Sequence, residues 1–251
     1  MKIHLSLVLY QHSIKDISPL LSSVKDLAEN CVFHKFHFSV FVNKHKSQPL
    51  SNLDFSQYLA CENLSLSVVY SSKNIGFGSA HNRNLLPSIA LFDYVFIINP
   101  DVSFSTDSFI KIIKQLDNDT SASCIAPLIV NSCGSIQYSA KNNPTFFSLL
   151  IGFLSQYVKT SLVKRLLRGN QNRRFDYSSD IIECTYLSGC FLAVRSHAYY
   201  VIGGFDENFF LHLEDADLSR RLSHIGKVYH FPSASGYCLI ISSDPRYADT
   251  N

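Results

Sequence analysis

Short apolar runs of strand length alternate with helical apolar patterns through the first half of this chain, and few folds accept that alternation. Residues 3–10, 36–42, 66–70, Tyr94–Ile98 and 124–130 read as buried strands. Between them, Ser18-Pro19 opens a helical pattern through Leu20, Leu21, Val24, Leu27 and Ala28 that ends near Asn30. A second helix is expected over about residues 80–90, and a third is capped by Thr106 and runs to Leu116. Strands and helices in this order predict an α/β fold, a doubly wound and mostly parallel sheet flanked by helices. In such a sheet ligands bind outside the carboxyl ends of the strands. The loops at 10–13, 43–47, 71–78 and 99–102 therefore share one rim.

Composition narrows the classes further. A chain of 251 residues with 46% apolar content fits one domain with a sizeable core. A net charge of +2 argues against a nucleic-acid partner recognised through bulk charge. Seven cysteines, an odd number without a C-x-x-C pair, read as reduced thiols and predict a cytoplasmic protein. Residues 1–10 read as a first strand and not a signal peptide, and no apolar run reaches the roughly 18 residues that span a bilayer. A soluble or peripheral protein is expected.

Chemistry concentrates late in the chain. Ser188-Gly189 leads into a short buried strand over 190–194, and Gly203-Gly204 then breaks the chain. Phe209, Phe210, Leu211 and Leu213 are expected to act as apolar anchors for the acidic cluster after them. That cluster is Glu214, Asp215 and Asp217, with Leu218, Leu222 and Ile225 behind it at helical spacing. Three acids thus occupy a first helical turn, where carboxylates favour the dipole and the free backbone N–H groups. They either cap that helix or supply the fixed carboxylate that a general base requires.

Two more stretches carry candidate chemistry. In Asn74-Ile-Gly-Phe-Gly-Ser-Ala-His-Asn82, Gly76 and Gly78 would let backbone approach a ligand at a helix N-terminus, although a loop with two glycines is also ordinary. It is not the dinucleotide fingerprint, because no third glycine follows. Asn99-Pro-Asp101 ends a strand of Phe and Ile, where a carboxylate either caps a turn or binds a cation.

The blocks Leu187-Ser-Gly-Cys-Phe-Leu-Ala-Val-Arg195, Gly203-Gly-Phe-Asp-Glu-Asn-Phe-Phe210 and Glu214-Asp-Ala-Asp-Leu-Ser-Arg-Arg221 together resemble the C-terminal signature of family 2 glycosyltransferases. Within that family the likeness is to the rhamnosyltransferase-like subgroup that builds bacterial surface polysaccharides. It implies a GT-A fold over residues 1–240. Residues 1–130 would form the nucleotide-sugar half, 131–240 the acceptor and catalytic half, and 241–251 a polar tail. By the same resemblance Asp215 is the catalytic base of an inverting transferase. Asn43, Asn74, Gly76, Asn82, Asn99 and Asp101 line the donor pocket, and Ser188, Gly189 and Glu214 lie toward the acceptor. Asp101 matches the metal-binding Asp of the D-x-D motif, which implies Mg²⁺ or Mn²⁺ on a dTDP- or UDP-sugar. Asp206 and Glu207 read as structural.

The sequence also departs from that pattern. Asn43 stands where the family often has an acid that holds the base, and an amide there still offers hydrogen bonds to a pyrimidine edge. Cys238 stands where family members carry a His that completes the metal site, leaving His230 as a substitute ligand. Thiols suit Mg²⁺ poorly. An impaired or truncated homologue with a binding or assembly role is therefore the alternative expectation. Finally, residues 144–175 hold Phe146 to Val158, then Lys159, Lys164, Arg165, Arg168, Arg173 and Arg174, without one acid. That insert reads either as a core helix with a basic tail or as an interfacial element. The second reading puts the protein on an anionic membrane surface beside a polyprenyl-diphosphate-linked acceptor.

Overall fold

The first strand, β1 (Lys2–Tyr10), is buried along all its inner residues, as befits a strand covered on both faces. In the computed structural model, which describes residues 1–43, 55, 59–131, 134–142, 172, 175–232 and 238–240, it lies within an eight-stranded sheet. The chain continues through α1 (Ile14–Asn30), β2 (Lys35–Asn43), β3 (Leu64–Tyr70), α2 (Phe77–Leu85), β4 (Tyr94–Ile98) and β5 (Val102–Ser103). Next come α3 (Thr106–Asn118), β6 (Ala122–Pro127), β7 (Ile129–Asn131), β8 (Ile136–Gln137) and β9 (Ala140–Lys141). Beyond residue 180 lie β10 (Ile182–Glu183), β11 (Tyr186–Leu187), β12 (Phe191–Arg195) and α4 (Ser196–Val201). Last are α5 (Glu214–Ser223), β13 (Lys227–Phe231) and β14 (Cys238–Ile240).

The main sheet runs β10-β13-β6-β12-β4-β1-β2-β3. Strands β3, β2, β1 and β4 are mutually parallel, as are β6 and β13. Strand β12 is antiparallel to both β4 and β6. Helices α1 and α3 cover one face through Leu20, Leu21, Leu27, Phe109 and Ile112. Helices α2, α4 and α5 cover the other through Leu85, Ala198, Leu218 and Leu222. The expected mostly parallel sheet with helices on both faces is therefore present. A smaller sheet, β5-β14-β7-β8, and a ribbon, β11-β9, lie beside it.

Local chemistry moves several boundaries. Helix α1 starts at Ile14, ahead of Ser18-Pro19, because Ser13 and Asp16 form a reciprocal capping box. Pro19 sits inside the helix and cannot bond the Lys15 carbonyl, which the Ser18 hydroxyl takes instead at 2.9 Å. Helix α2 begins at Phe77 and yields to a 3₁₀ turn over Leu86–Leu91, where Pro87 removes a donor. Ser105, not Thr106, caps α3 by accepting the Ser108 N–H at 3.2 Å. The run expected as one strand over 124–130 divides after Pro127, and β7 joins the smaller sheet.

One face of β1 and β2 is polar yet buried. His4 Nε2 meets Ser39 Oγ at 2.7 Å, and His81 Nδ1 meets Ser6 Oγ at 2.7 Å. Burial pushes both histidines down to about 3 from 6.5, with His37 adding to the effect at His4. The unfolded chain takes up these protons near 6.5, whereas the folded chain does so only near 3. Stability is therefore complete above pH 6.5 and is lost as pH falls toward 3, by about 1.4 kcal/mol per pH unit per histidine. Urea midpoints recorded down this pH series should drop accordingly, with a shallower slope for His81→Asn. A flat profile through the window would contradict the assignment.

Candidate functional site

Because β12 runs antiparallel, its first residues reach the same rim as the carboxyl ends of the parallel strands. Phe191 pairs with Ile98, the last residue of β4. One step further out, the Asn99 N–H donates to the Cys190 carbonyl at 2.9 Å, and the Asn99 carbonyl takes the Val102 N–H at 3.2 Å. That turn holds Asp101 at the rim beside Cys190. The Cys190 thiol is pushed up to about 12 by burial, and then by the Asp101 carboxylate. His12 lies within the same field. Burial lowers its pKa, and Asp16 and then Asp101 pull it part of the way back. Its placement follows from a left-handed Gln11, φ 61°, and from the Tyr10 N–H donated to His12 Nδ1 at 3.2 Å.

Asp215 comes to this rim on the first turn of α5. Its Oδ2 accepts the Gly189 N–H at 3.0 Å and the Tyr186 hydroxyl at 3.4 Å, while Oδ1 takes the Ala216 N–H at 2.9 Å. A Cβ on Gly189 would lie 3.1 Å from the Asp215 Cβ, so glycine permits this approach. The Ser219 hydroxyl, one turn along α5, accepts the Leu187 N–H at 3.1 Å and fixes helix against loop. Ser188 joins through its backbone N–H, which donates to the Ser139 carbonyl at 2.9 Å. Glu214 is only 8% exposed, and its Oε2 has no hydrogen-bond partner among the described residues. Burial raises its pKa, and the neighbouring Asp215 adds to the rise. The turn before α5 is strained: His212 and Leu213 both adopt left-handed φ, 69° and 68°, and no side chain caps the helix. Asp217 turns away to Arg221 at 2.7 Å, whose guanidinium also donates to the Ile202 and Gly204 carbonyls.

Several expected donor contacts have structural tasks. Asn43 is buried, its Nδ2 donating to the Gly76 carbonyl at 3.1 Å and its Oδ1 accepting the Ile75 N–H at 3.1 Å. Asn74 Oδ1 takes the Gly76 N–H at 3.0 Å in a local turn. Gly76, φ +90°, is compelled by the opposite loop, since a Cβ there would lie 2.8 Å from the Phe210 carbonyl oxygen. Asn82 is a correction. It is 3% exposed, donates to the Phe205 carbonyl and Glu207 Oε1, and accepts from the Tyr199 hydroxyl and the Phe205 N–H. No side-chain donor or acceptor remains for a ligand.

Other corrections follow from burial. Phe210 and Leu211 are 55% and 59% exposed, so they form a tip and not an anchor; Phe205, at 2%, is the anchor. Asp206 closes a turn on Asn208, in keeping with its structural reading. His230 does not substitute as a metal ligand, because it is buried with Nε2 on the Tyr177 carbonyl at 2.9 Å. Cys238 opens β14, whose Ile240 pairs with Val102 beside Asp101. The insert over 144–175 lies outside the described residues apart from Asn172 and Phe175, and so does the 241–251 tail. Among the described residues no helix is long and apolar enough to cross a membrane.

The donor set for a divalent ion is short but of the right kind. Asp101 supplies a carboxylate, and the buried Asn99 Oδ1 has no hydrogen-bond partner among the described residues. Oxygen donors suit Mg²⁺ or Mn²⁺, which keep positions for water and phosphate oxygens. No group of three His, Cys, Asp or Glu placed to hold a metal ion occurs among the described residues.

Reading the sequence alone missed Lys141 and assigned no role to Tyr186. The two pair across β9 and β11, with Lys141 Nζ 5.1 Å from the centroid of the Tyr186 ring. Nothing in the spacing announces this, since a long insert separates them.

Replacing Asn82 tests its structural role. Asn82→Ala leaves the Phe205 N–H and the Tyr199 hydroxyl buried without their acceptor and should cost about 2–4 kcal/mol in urea unfolding. Asn74→Ala, in a partly exposed turn, should cost less than about 1 kcal/mol.

Comparison with known proteins converges on one family. The chain is 25% identical over 219 residues to rhamnosyltransferase WbbL of Escherichia coli K12, covering 84% of this chain and 76% of that one. It is 30% identical over 172 residues to the N-acetylglucosaminyl-diphospho-decaprenol L-rhamnosyltransferase of Mycobacterium tuberculosis, covering 64% of this chain and 54% of that one. The chain thus spans about half the length of the mycobacterial protein. Among solved structures, Staphylococcus aureus TarS superposes with a TM-score of 0.58 at 13% identity, over 96% of this chain and 61% of that one. A Pyrobaculum calidifontis mannosyltransferase with GDP-mannose and Mn²⁺ gives 0.58 at 12%, over 98% and 59%. These likenesses establish a fold of the GT-A type. The family model for glycosyltransferase-like family 2 matches residues 24–235, so this chain belongs to that family.

Proposed function

We propose that this protein is an inverting glycosyltransferase that moves a sugar from a nucleoside-diphosphate donor to a lipid-diphosphate-linked saccharide. The observation that carries this reading is the Asp215 carboxylate, fixed by the Gly189 N–H and the Tyr186 hydroxyl on the rim that also bears Asp101. Asp215 takes the proton of the acceptor hydroxyl as that oxygen attacks the anomeric carbon. The bond from that carbon to the phosphate oxygen breaks on the opposite side, the diphosphate leaves, and the configuration inverts. Asp101, with the Asn99 amide oxygen beside it in sequence, would hold a divalent ion. Such an ion supplies neutralisation of charge on the leaving diphosphate.

The finer assignments rest on the relatives and the sequence. The names of the matched rhamnosyltransferases support L-rhamnose as the transferred sugar; a dTDP- or UDP-sugar as its carrier rests on the sequence resemblance. The mycobacterial relative's diphospho-decaprenol-linked substrate supports a polyprenyl-diphosphate acceptor; a setting in O-antigen or capsule-type polysaccharide synthesis rests on the sequence resemblance. The acid-free basic stretch within 144–175 supports docking on the anionic inner face of the plasma membrane.

Turnover of UDP-, dTDP- and GDP-sugars with a lipid-diphosphate acceptor extract and Mg²⁺ or Mn²⁺ tests the reading. One donor should be used, and Asp215→Asn should lower kcat by about a hundredfold to ten-thousandfold while leaving the melting temperature unchanged. An Asp215→Asn variant that keeps full activity would remove the base. Nucleotide binding without turnover of any donor would favour a non-catalytic binding role, for which Cys238 at the His position is the motivating observation.

A further inference from the structure

We propose that Lys141 is the cationic contact for the diphosphate of the bound sugar nucleotide, and that the Tyr186 ring is the spacer that keeps its ammonium out of an ion pair with Asp215. The proposal rests on the nucleotide-sugar reading above and deepens it.

Lys141 is fixed to the site through backbone. It pairs with Tyr186 and Ala140 pairs with Leu187, while the Ser139 carbonyl accepts the Ser188 N–H at 2.9 Å. Three successive residues of that segment thus run alongside the loop that presents Gly189 to Asp215. The Lys141 side chain then lies over the Tyr186 ring, Nζ 5.1 Å from the centroid, and the hydroxyl of that ring reaches Asp215 Oδ2 at 3.4 Å. The Tyr186 ring thus touches the cation through its face and the carboxylate through its hydroxyl.

Electrostatics on a third residue locate the ammonium more closely. The buried Cys190 thiol feels both Asp101, which raises it, and Lys141, which lowers it. Lys141 thus lies within electrostatic reach of Cys190, whose carbonyl takes the Asn99 N–H. Yet among the described residues it makes no ion pair with any carboxylate. An ammonium joined directly to Asp215 would neutralise the base and be consumed itself. Held against a ring face by a weak attraction, it stays available to an anion. Asp101, Glu214 and Asp215 load this rim with negative charge, so a diphosphate entering it needs a cation, and a lysine suits phosphate as a mobile point charge.

Binding of UDP and dTDP, measured by titration calorimetry at low and high salt, separates this role from catalysis. Lys141→Gln should weaken binding about tenfold at low salt and flatten the salt dependence, with an unchanged melting temperature. Lys141→Arg should retain binding, because the charge is kept. Tyr186→Phe should keep diphosphate affinity and lower kcat alone, because it preserves the ring and removes only the hydroxyl on Asp215. Equal affinity of Lys141→Gln and the wild type would overturn the assignment of Lys141 and leave the donor reading intact. A wild-type chain that binds neither diphosphate would overturn both.

Discussion

The site depends on one reversed strand. Strand β12 enters between β4 and β6 against their direction, in register Phe191 to Ile98 and Ala193 to Ile125. A parallel strand in that place would present its carboxyl end at the rim and send Ser188 and Gly189 to the far edge. Reversal brings Gly189 to the end of β4, where Asn99 hydrogen-bonds Cys190 and Asp101 follows. The approach of Gly189 and Asp215 to Asn99 and Asp101 follows from this arrangement. Its cost is small, because antiparallel pairing is at least as favourable per residue as parallel.

Around that strand the polar residues are framework more often than chemistry. Asn82, Asn43 and Arg221 each direct at least one side-chain hydrogen bond to backbone of a neighbouring segment. Loops that meet at a rim carry backbone groups with no ladder partner, and buried amides and guanidinium groups satisfy them. Gly76 and Gly189 serve the same end sterically, each admitting a close neighbour that a Cβ would displace. The loop over 74–76 is thereby held against the 205–211 segment.

Much of this was legible from residues alone, for identifiable reasons. Short continuous apolar runs and the helical patterns between them are dictated by burial, and they pointed to the sheet, its faces and its rim. The acids over 214–217 and Asp101 stood out because carboxylates at a helix start and a strand end need a purpose, and the family resemblance singled out Asp215 among them. Boundaries at Ile14 and Ser105 escaped because capping depends on a side chain reaching one particular N–H, which spacing does not encode. Asn82 was misread for a related reason: an amide beside a glycine loop looks alike whether it faces a ligand or the Phe205 backbone. Lys141 was invisible because only the β9–β11 pairing places it against Tyr186.

The turn that delivers Asp215 obeys the opposite logic from the rest of the fold. Two successive non-glycine residues, His212 and Leu213, hold left-handed conformations at roughly 1–2 kcal/mol each. The helix they open has no side-chain cap, although one is worth about 1 kcal/mol elsewhere. Glu214 is buried beside Asp215 with an oxygen unpartnered among the described residues. Each of these forgoes stability, and all lie within four residues of one carboxylate. A capping side chain at Leu213 would occupy N–H groups at the mouth of the helix, and a relaxed turn would swing α5 away from Gly189. The strain thus sits at the turn that sets Asp215 against Gly189, and the Asp217–Arg221 pair and the Asn82 network hold the segments around it.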